Sequence, residues 1–535
     1  MPVKELNVHE IDGTETSLYH VKLPDIPQRE FRIVDFGALG NGLYDNTDHI
    51  NSALAACAQA GGGRVIIPAG IWLTGPILLQ SRTELHLERG ALVRFSREYT
   101  DYPLILSSYE GREVIRSRSP LDGENLTDVA ITGEGIFDGS GDAWRPVKQN
   151  KLTASAWEAL VASGGVVNER EGGNSIWWPS ERAMNGASFT EALHTSGVRD
   201  KAAYEPAHEF LRPNLLSLRR CKRVLLEGVT FQNSPAWNLH PWACEHVTIR
   251  HVNVRNPWYA QNGDGLDLDS VRHALVEYCS FDVGDDAICL KSGKDAEGRE
   301  LGIPTEYVTI RHSTVYHGHG GFVIGSEMSG GVRHVRVSDC MFMGTDIGLR
   351  FKSARGRGGI VEDIVIERIR MLDITKEAIS FSLFYEGKEG SGRGDEKIYA
   401  VGEGTPIFRN ISIREVVCSG AQTALYMNGL PEMPVEDLSV DNYHVQAVNG
   451  FVCSQAKHLK LTHITAKVDQ GSLVSLHQCR GVELSELEGL GADGRLLVVT
   501  GSDSTGIVYG VASEQEGCQI LAGPGVRSGS LIRRR

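Results

Sequence analysis

From residue 222 onward one pattern keeps returning: a polar start, an apolar-alternating run, then a second β-favouring stretch. It reads "KRVLLEGVTF" at 222, "EHVTIRHVNV" at 245, "RHALVEYCSF" at 272, "EYVTIRHSTV" at 306 and "RHVRVSDCMF" at 333, and continues through starts at 362, 409, 436, 457 and 480. Alternation with a period of two marks half-buried strands. Successive starts lie 21 to 47 residues apart. The floor of about 21 to 23 residues is one coil of a right-handed parallel β-helix, and the wider gaps are coils with loops inserted. A leucine-rich horseshoe would need an L-x-x-L-x-L frame with an asparagine. Valine and isoleucine dominate instead, and they suit strands stacked through an interior. The expected class is therefore all-β, a single right-handed parallel β-helix of about ten or more coils. Because such arrays grow by stacking, 535 residues need not divide into several globular domains.

Upstream, "GGGRVIIPAGIWLTGPILL", "TELHLERGALVRFS" and "LTDVAITGEGIFDGSG" continue the strand texture. Before them "DNTDHINSALAACAQAGGG" places Ile50, Leu54 and Cys57 on one helical face, with Asn46 as N-cap and Gly61 as stop. A short amphipathic helix at this end reads as a cap over the open interior of the coil stack. The expected organisation is a lead segment at 1–30, a β-helix at 31–512 and a tail at 513–535. Residues 142–214 break the repeat as an inserted loop region holding Trp144, Trp157, Trp177 and Trp178. Loop aromatics either stack on sugar rings or pack the loop down.

A net charge of −14 argues against nucleic acid as a partner, since phosphate binding needs a basic face. No apolar run is long enough to cross a membrane, and the opening "MPVKELNVHE" lacks a secretory h-region, so a cytoplasmic location is expected. The 10 cysteines form no CxxC pair and no Cys/His cluster, which reads as reduced core cysteines rather than a zinc site.

The chemistry concentrates in "QNGDGLDLDS" (261–270) and "DVGDDAICLKSG" (282–293). Asp264 and Asp285 are about one minimal coil apart, so they should lie on adjacent coils, with strands about 4.8 Å from each other. Asp285 and Asp286 can both reach one surface only at a bend, which Gly284 would supply. Three carboxylates in mutual reach should raise the pKa of at least one. A protonated acid beside ionised carboxylates is what glycoside hydrolysis requires, although Asp pairs also bind calcium or form turns. On later coils His319 stands between glycines, where it could orient a carboxylic acid. Arg350 and Lys352 point the same way from one strand. They serve either as charge compensation or as a grip on a substrate carboxylate.

The order Asn262-Gly263-Asp264, Asp285-Asp286, Gly318-His319-Gly320, Arg350-Phe351-Lys352 resembles the four signatures of the polygalacturonases, glycoside hydrolase family 28: NTD, DD, GHG and RIK. The resemblance implies a right-handed β-helix that hydrolyses α-1,4-galacturonosyl bonds with inversion, without metal or organic cofactor, on oligogalacturonide or pectic fragments. It implies Asp285 as general acid, Asp264 and Asp286 as the pair that holds and activates water, and His319 as support for the acid. Asn262, Arg350 and Lys352 would contact substrate, and Tyr385 falls where the family often has a stacking tyrosine. Gly263 and Phe351 depart from the family's threonine and isoleucine, which points to a reshaped cleft.

The insertion at 142–214 and the long gap after 362 could wall off one end of a groove. "GSEMSGG" and "KSARGRGG" resemble bacterial exo-acting members, and Arg355 and Arg357 could hold a further carboxylate. Exo action is expected. Rival readings are an endo-acting enzyme, a rhamnogalacturonan-directed hydrolase of the same family, a calcium-dependent pectate lyase, and a non-catalytic carbohydrate-binding or tailspike-type β-helix. The sequence leaves the oligomeric state open.

Overall fold

The computed structural model describes residues 19–170, 174–385, 397–510 and 519–534. The repeat starts stack in register: Lys222 pairs with Glu245, Glu245 with Arg272, Arg272 with Glu306, and Glu306 with Arg333, all in parallel. Charges alternate along this column, and Glu306 bridges Arg272 at 2.7 Å and Arg333 at 2.6 Å. Opposite charges on neighbouring strands favour this register over a slipped one.

Each coil contributes a strand to three parallel sheets. One holds Lys222–Glu227, Glu245–Arg250 and Arg272–Glu277. A second holds Thr230–Gln232, Asn253–Arg255 and Ser280–Asp282. The third runs through Leu266–Asp269, Asp286–Lys291, Gly320–Ile324 and Ile347–Lys352, and extends to fourteen rungs among the described residues, from Ile77–Leu78 to Gln519–Ala522. This is the right-handed parallel β-helix expected from the spacing.

One face of each strand points inward, where like residues stack. Phe95, Phe137 and Phe231 form one ladder, with centroids 6.3 and 5.4 Å apart, and Phe351 lies 4.2 Å from Phe381 with the rings nearly parallel. Each such ring removed from water contributes about 1.5–3 kcal/mol. The nine described cysteines are all buried and free.

The corners repeat as well. The second residue of each repeat, from Arg223 and His246 through His273, Tyr307 and His334, has a positive φ near 55–60° although none is glycine. The rings of His246, His273, Tyr307 and His334 stack at 4.8–5.0 Å along this edge. Part of the lead segment runs beside them: the Lys22 N–H donates to His246 Nδ1, and Tyr19 meets Tyr307 edge-on.

Helix α1 (Thr47–Gln59) buries Ile50, Leu54 and Cys57 completely, as a cap should. Asn46 occupies the N-cap position, but its side chain does not cap the helix. It accepts from the Leu39 N–H and donates to the carbonyls of Tyr44 and Leu73, fastening the preceding loop. The helix ends at Gln59, followed by Ala60 and a left-handed Gly61.

Two departures from the coil pattern matter for function. An antiparallel hairpin, Leu104–Tyr109 with Arg112–Ser117, interrupts the region expected to be continuous helix. The insertion folds into α2 (Ala154–Ala162), α3 (Glu181–Thr195) and a small antiparallel sheet of Val147–Lys148, Ile176–Trp178 and Val166–Asn168. Leu104 and Ile115 of the hairpin pack with Tyr204 and Leu211 beyond α3, so hairpin and insertion form one wall. At the other end, Gln519–Ala522 and Leu531–Arg533 pair onto the preceding coils, so the sheets continue into the segment expected as a tail.

Candidate active site

The site lies on the third sheet, where adjacent strands begin at nearly the same height. Leu266 pairs with Ile288, so Asp264 and Asp285 lie on adjacent coils as expected, with Asp286 the residue level with Asp264. Asp286 in turn pairs with Gly320. Asp264, Asp285 and Asp286 each offer a carboxylate oxygen, and these oxygens lie within 4.8 Å of one another.

The bend that brings out both Asp285 and Asp286 does depend on Gly284, for a different reason from the expected one. Its φ is not in the left-handed region. A Cβ there would stand 2.7 Å from the carbonyl oxygens of both Pro257 and Ala260, so the loop before Asn262 closes against a bare backbone. Close approach, not backbone freedom, fixes this glycine.

The environments of the three acids differ. Burial would raise Asp286, but Lys352 and Arg350 outweigh it and hold the carboxyl well below its usual range. Lys352 Nζ donates to Oδ2 at 2.7 Å and Arg350 Nη1 to Oδ1 at 3.0 Å. Asp264 is pushed the other way, well above the usual range, first by burial and then by the charges of Asp267 and Asp285. Asp285 is half-buried. Its Oδ1 accepts the Asp286 N–H at 3.0 Å and lies 3.1 Å from His319 Nδ1, so Oδ2 is the oxygen left to carry a transferable proton. On the far side of the ring, Lys151 Nζ of the insertion stands 3.5 Å from His319 Nε2, the geometry in which Nε2 accepts and Nδ1 donates.

Beneath these groups lies a layer that the sequence analysis missed. Lys291 Nζ is 3.1 Å from Asp267, 3.6 Å from Asp264, 3.8 Å from Glu327 and 3.6 Å from the centre of the Trp237 ring. Asp267, fully buried, is pushed up to about 7 by burial despite Lys291. The sequence held a clue: acids at 267 and 269 recur along one strand, and Lys291 pairs with Asp269 on the next coil.

The remaining expected residues are distributed as follows. Asn262 accepts from Arg212 Nη2 at 2.9 Å through Oδ1. Tyr385 presents its ring 4.7 Å from Lys352 Nζ and 5.6 Å from the Arg350 guanidinium. Arg355 and Arg357 do not face substrate with open charges: Arg355 forks onto Glu432 and Arg357 binds Asp295, so both fasten loops. Phe351 does not reshape the cleft either, because it points into the core against Phe381. Trp144 and Trp177 pack the insertion down, Trp144 against Tyr102 and Trp177 through Nε1 to the Gly164 carbonyl.

Three clustered carboxylates could in principle ligate a cation. Here Lys291, Arg350 and Lys352 already supply positive charge to them, so the acids have no large uncompensated charge that would call for one.

Residues 199–402, which include all four motifs, match the model of glycosyl hydrolases family 28. The chain is 30% identical to the crystal structure of a hyperthermoactive exopolygalacturonase from Thermotoga maritima, with a TM-score of 0.71 over 84% of this chain and 94% of that one. It is 28% identical to a "Probable polygalacturonase" of Vitis vinifera, over 77% of this chain and 73% of that protein. It is also 28% identical to an "Exo-poly-alpha-D-galacturonosidase" of Dickeya chrysanthemi, over 67% of this chain and 58% of that protein's length. Fold, motif order and this similarity together place the chain in family 28 of the glycosyl hydrolases.

Proposed function

We propose that the protein hydrolyses α-1,4-linked galacturonan from the chain end, releasing single galacturonate residues from pectic oligomers. The observation that carries this reading is the carboxylate trio beside two cations on one sheet, one acid open to the groove and one held ionised. Asp285 donates the proton on Oδ2 to the glycosidic oxygen as the bond to C1 breaks. Asp286, ionised by Lys352 and Arg350, takes a proton from the water that attacks C1, and Asp264 helps to hold that water. The proton gained by Asp286 returns to Asp285 through solvent, and the free sugar and the shortened chain leave. Arg350 and Lys352 each give one donor to Asp286, and their other N–H groups suit a substrate carboxylate beside the cleavage point. Tyr385 adds an apolar face for a sugar ring.

Exo action is supported by the insertion, which reaches residues beside the catalytic acids: Lys151 meets His319, and Arg212 meets Asn262. An endo enzyme needs that side open. The Thermotoga and Dickeya relatives carry exo-acting names.

The test is a timed digestion of reducing-end-labelled galacturonate oligomers in chelator. Unlabelled monomer, with the labelled chain shortening one residue at a time, supports the reading. A spread of sizes from the first time point identifies an open groove, and cleavage of rhamnogalacturonan fragments alone transfers the activity to that polymer. Stereochemistry needs its own test. Oxygens within 4.8 Å are closer than the roughly 6.5–9.5 Å usual between the carboxyls of inverting enzymes. Proton NMR of the first product distinguishes the β-anomer expected of inversion from the α-anomer of retention, which would make one aspartate a nucleophile.

A further inference from the structure

Between the hairpin, the insertion and the Asn262 loop lies a chamber of about 200 Å³, bordered by Arg116, Arg212, Lys148, Trp178, Asn262 and Glu110 among others. That volume equals about seven waters at roughly 30 Å³ each, room for one sugar residue rather than a chain.

Its polar character is one-sided. Arg116 and Arg212 are both buried, 8% and 7% exposed, and among the described residues neither has a carboxylate within ion-pairing distance. Arg212 donates to the carbonyls of Pro235 and Gln261 and to Asn262 Oδ1. Arg116 donates to the Arg212 carbonyl and lies 3.6 Å over the Tyr109 ring. These are neutral acceptors, which satisfy hydrogen bonds but leave two buried positive charges unbalanced. Glu110 on the rim acts on both guanidiniums from a distance without pairing with either. Trp178 adds a buried indole N–H with no partner, and Lys148 a half-buried ammonium. Arg145 nearby is also buried on neutral acceptors, but only Arg116 and Arg212 of the three border the open space. Buried charges persist when something pairs with them, and among the described residues no carboxylate does so here.

We propose that this chamber is a carboxylate receptor for the terminal uronate of the substrate, with Arg116, Arg212, Lys148 and Trp178 reading the acid group of the sugar that is released. This rests on the exo-galacturonan reading and deepens it. Arg350 and Lys352 lie on coils after the catalytic acids and the chamber on coils before them, so a carboxylate is recognised on each side of the bond being cut. A terminal sugar without a charge leaves the arginines unpaired, and discrimination by an unpaired buried polar group far exceeds that by shape.

The test uses digalacturonate and the same dimer with the non-reducing carboxylate as its methyl ester. The full-length enzyme should prefer the free acid by about 100-fold or more in kcat/KM. Arg116→Gln and Lys148→Met should each narrow that preference severalfold. Lys148 is half-buried, so its variant keeps the test alive if Arg116→Gln does not fold. In parallel, intrinsic fluorescence is followed as galacturonate or galactose is added, with Trp178→Phe as control. Galacturonate should bind at least tenfold more tightly than galactose, with a signal that depends on Trp178. Equal kcat/KM on the two dimers, with galacturonan cleavage intact, overturns the receptor but not the enzyme. If no galacturonan is cut, the functional reading fails and the titration alone decides: selective galacturonate binding upholds the receptor, and equal or absent binding overturns it.

Discussion

Lys352 sets its ammonium 2.7 Å from Asp286 Oδ2, and that contact, with Arg350 on the other oxygen, keeps a buried carboxyl ionised. Asp286 must be charged to accept a proton from water, so activity is lost as pH falls through its folded pKa. Lys352→Met removes the larger of the two lowering charges, and the folded pKa of Asp286 rises. The acidic limb of the kcat/KM profile should then move to higher pH, with the maximum falling about 10²–10³-fold. A lower rate with an unmoved limb would mean that Lys352 only binds substrate.

Asp285 is assigned as the proton donor to the leaving oxygen. Asp285→Asn should reduce cleavage of oligogalacturonides by about 10²–10⁴-fold. A nitrophenyl galacturonide, whose leaving group needs little protonation, should recover most of that loss. His319→Gln, acting through Asp285, should give a smaller loss with the same leaving-group dependence.

Lys291 serves three acids at once. Breaking a buried ion cluster by removing one partner costs about 3–5 kcal/mol, so Lys291→Met should lower stability by that amount in urea unfolding. Adding Asp267→Asn should restore part of it above about pH 8, where the aspartate is ionised and would be stranded without Lys291.

Asp267 also ties stability to pH. Its folded pKa, about 7, lies above the ordinary 3.8, so the folded state binds the proton more tightly than the unfolded chain does. Its contribution is complete below about pH 4 and disappears as pH rises towards 7. The difference in Tm between the protein and Asp267→Asn should therefore shift in favour of the native aspartate as pH drops from 7 to 4. A difference that stays flat across this range would contradict the assignment.

Chelator separates hydrolysis from calcium-dependent elimination. With Lys291, Arg350 and Lys352 compensating the acids, millimolar EDTA should leave the rate unchanged, and no product absorbing as an unsaturated uronide should form. Loss of rate that is restored by calcium would reverse the reading.

Much of this was legible beforehand because it is periodic. The repeat starts at 222, 245, 272, 306 and 333 fall on paired residues, since strand alternation and stacking impose the same spacing in sequence and in space. The trio of acids, His319, Arg350 and Lys352 followed from that periodicity and from the motifs. What escaped was aperiodic. Arg116 reaches the site from a hairpin and Arg212 from the end of an insertion, and no spacing rule links either to Asn262. Phe351 departs from the motif without changing the groove, because strand alternation puts it opposite Arg350 and Lys352, inside. The charges at Arg355 and Arg357 looked open because their partners, Glu432 and Asp295, lie 77 and 62 residues away.

The left-handed corner residues have a mechanical consequence. A non-glycine residue in that conformation costs roughly 1–2 kcal/mol, and here the cost recurs coil after coil, offset by stacking on the neighbour above and the neighbour below. An end coil has only one such neighbour, so the molecule should fray from its tips inward. The reacting aspartates stand on the fifth and sixth of the fourteen rungs that the described residues form, far from either tip. Their fixed spacing is thus a property of their address in the stack, and coils could be added to or removed from the ends, lengthening or shortening the molecule, without disturbing the chemistry at its centre.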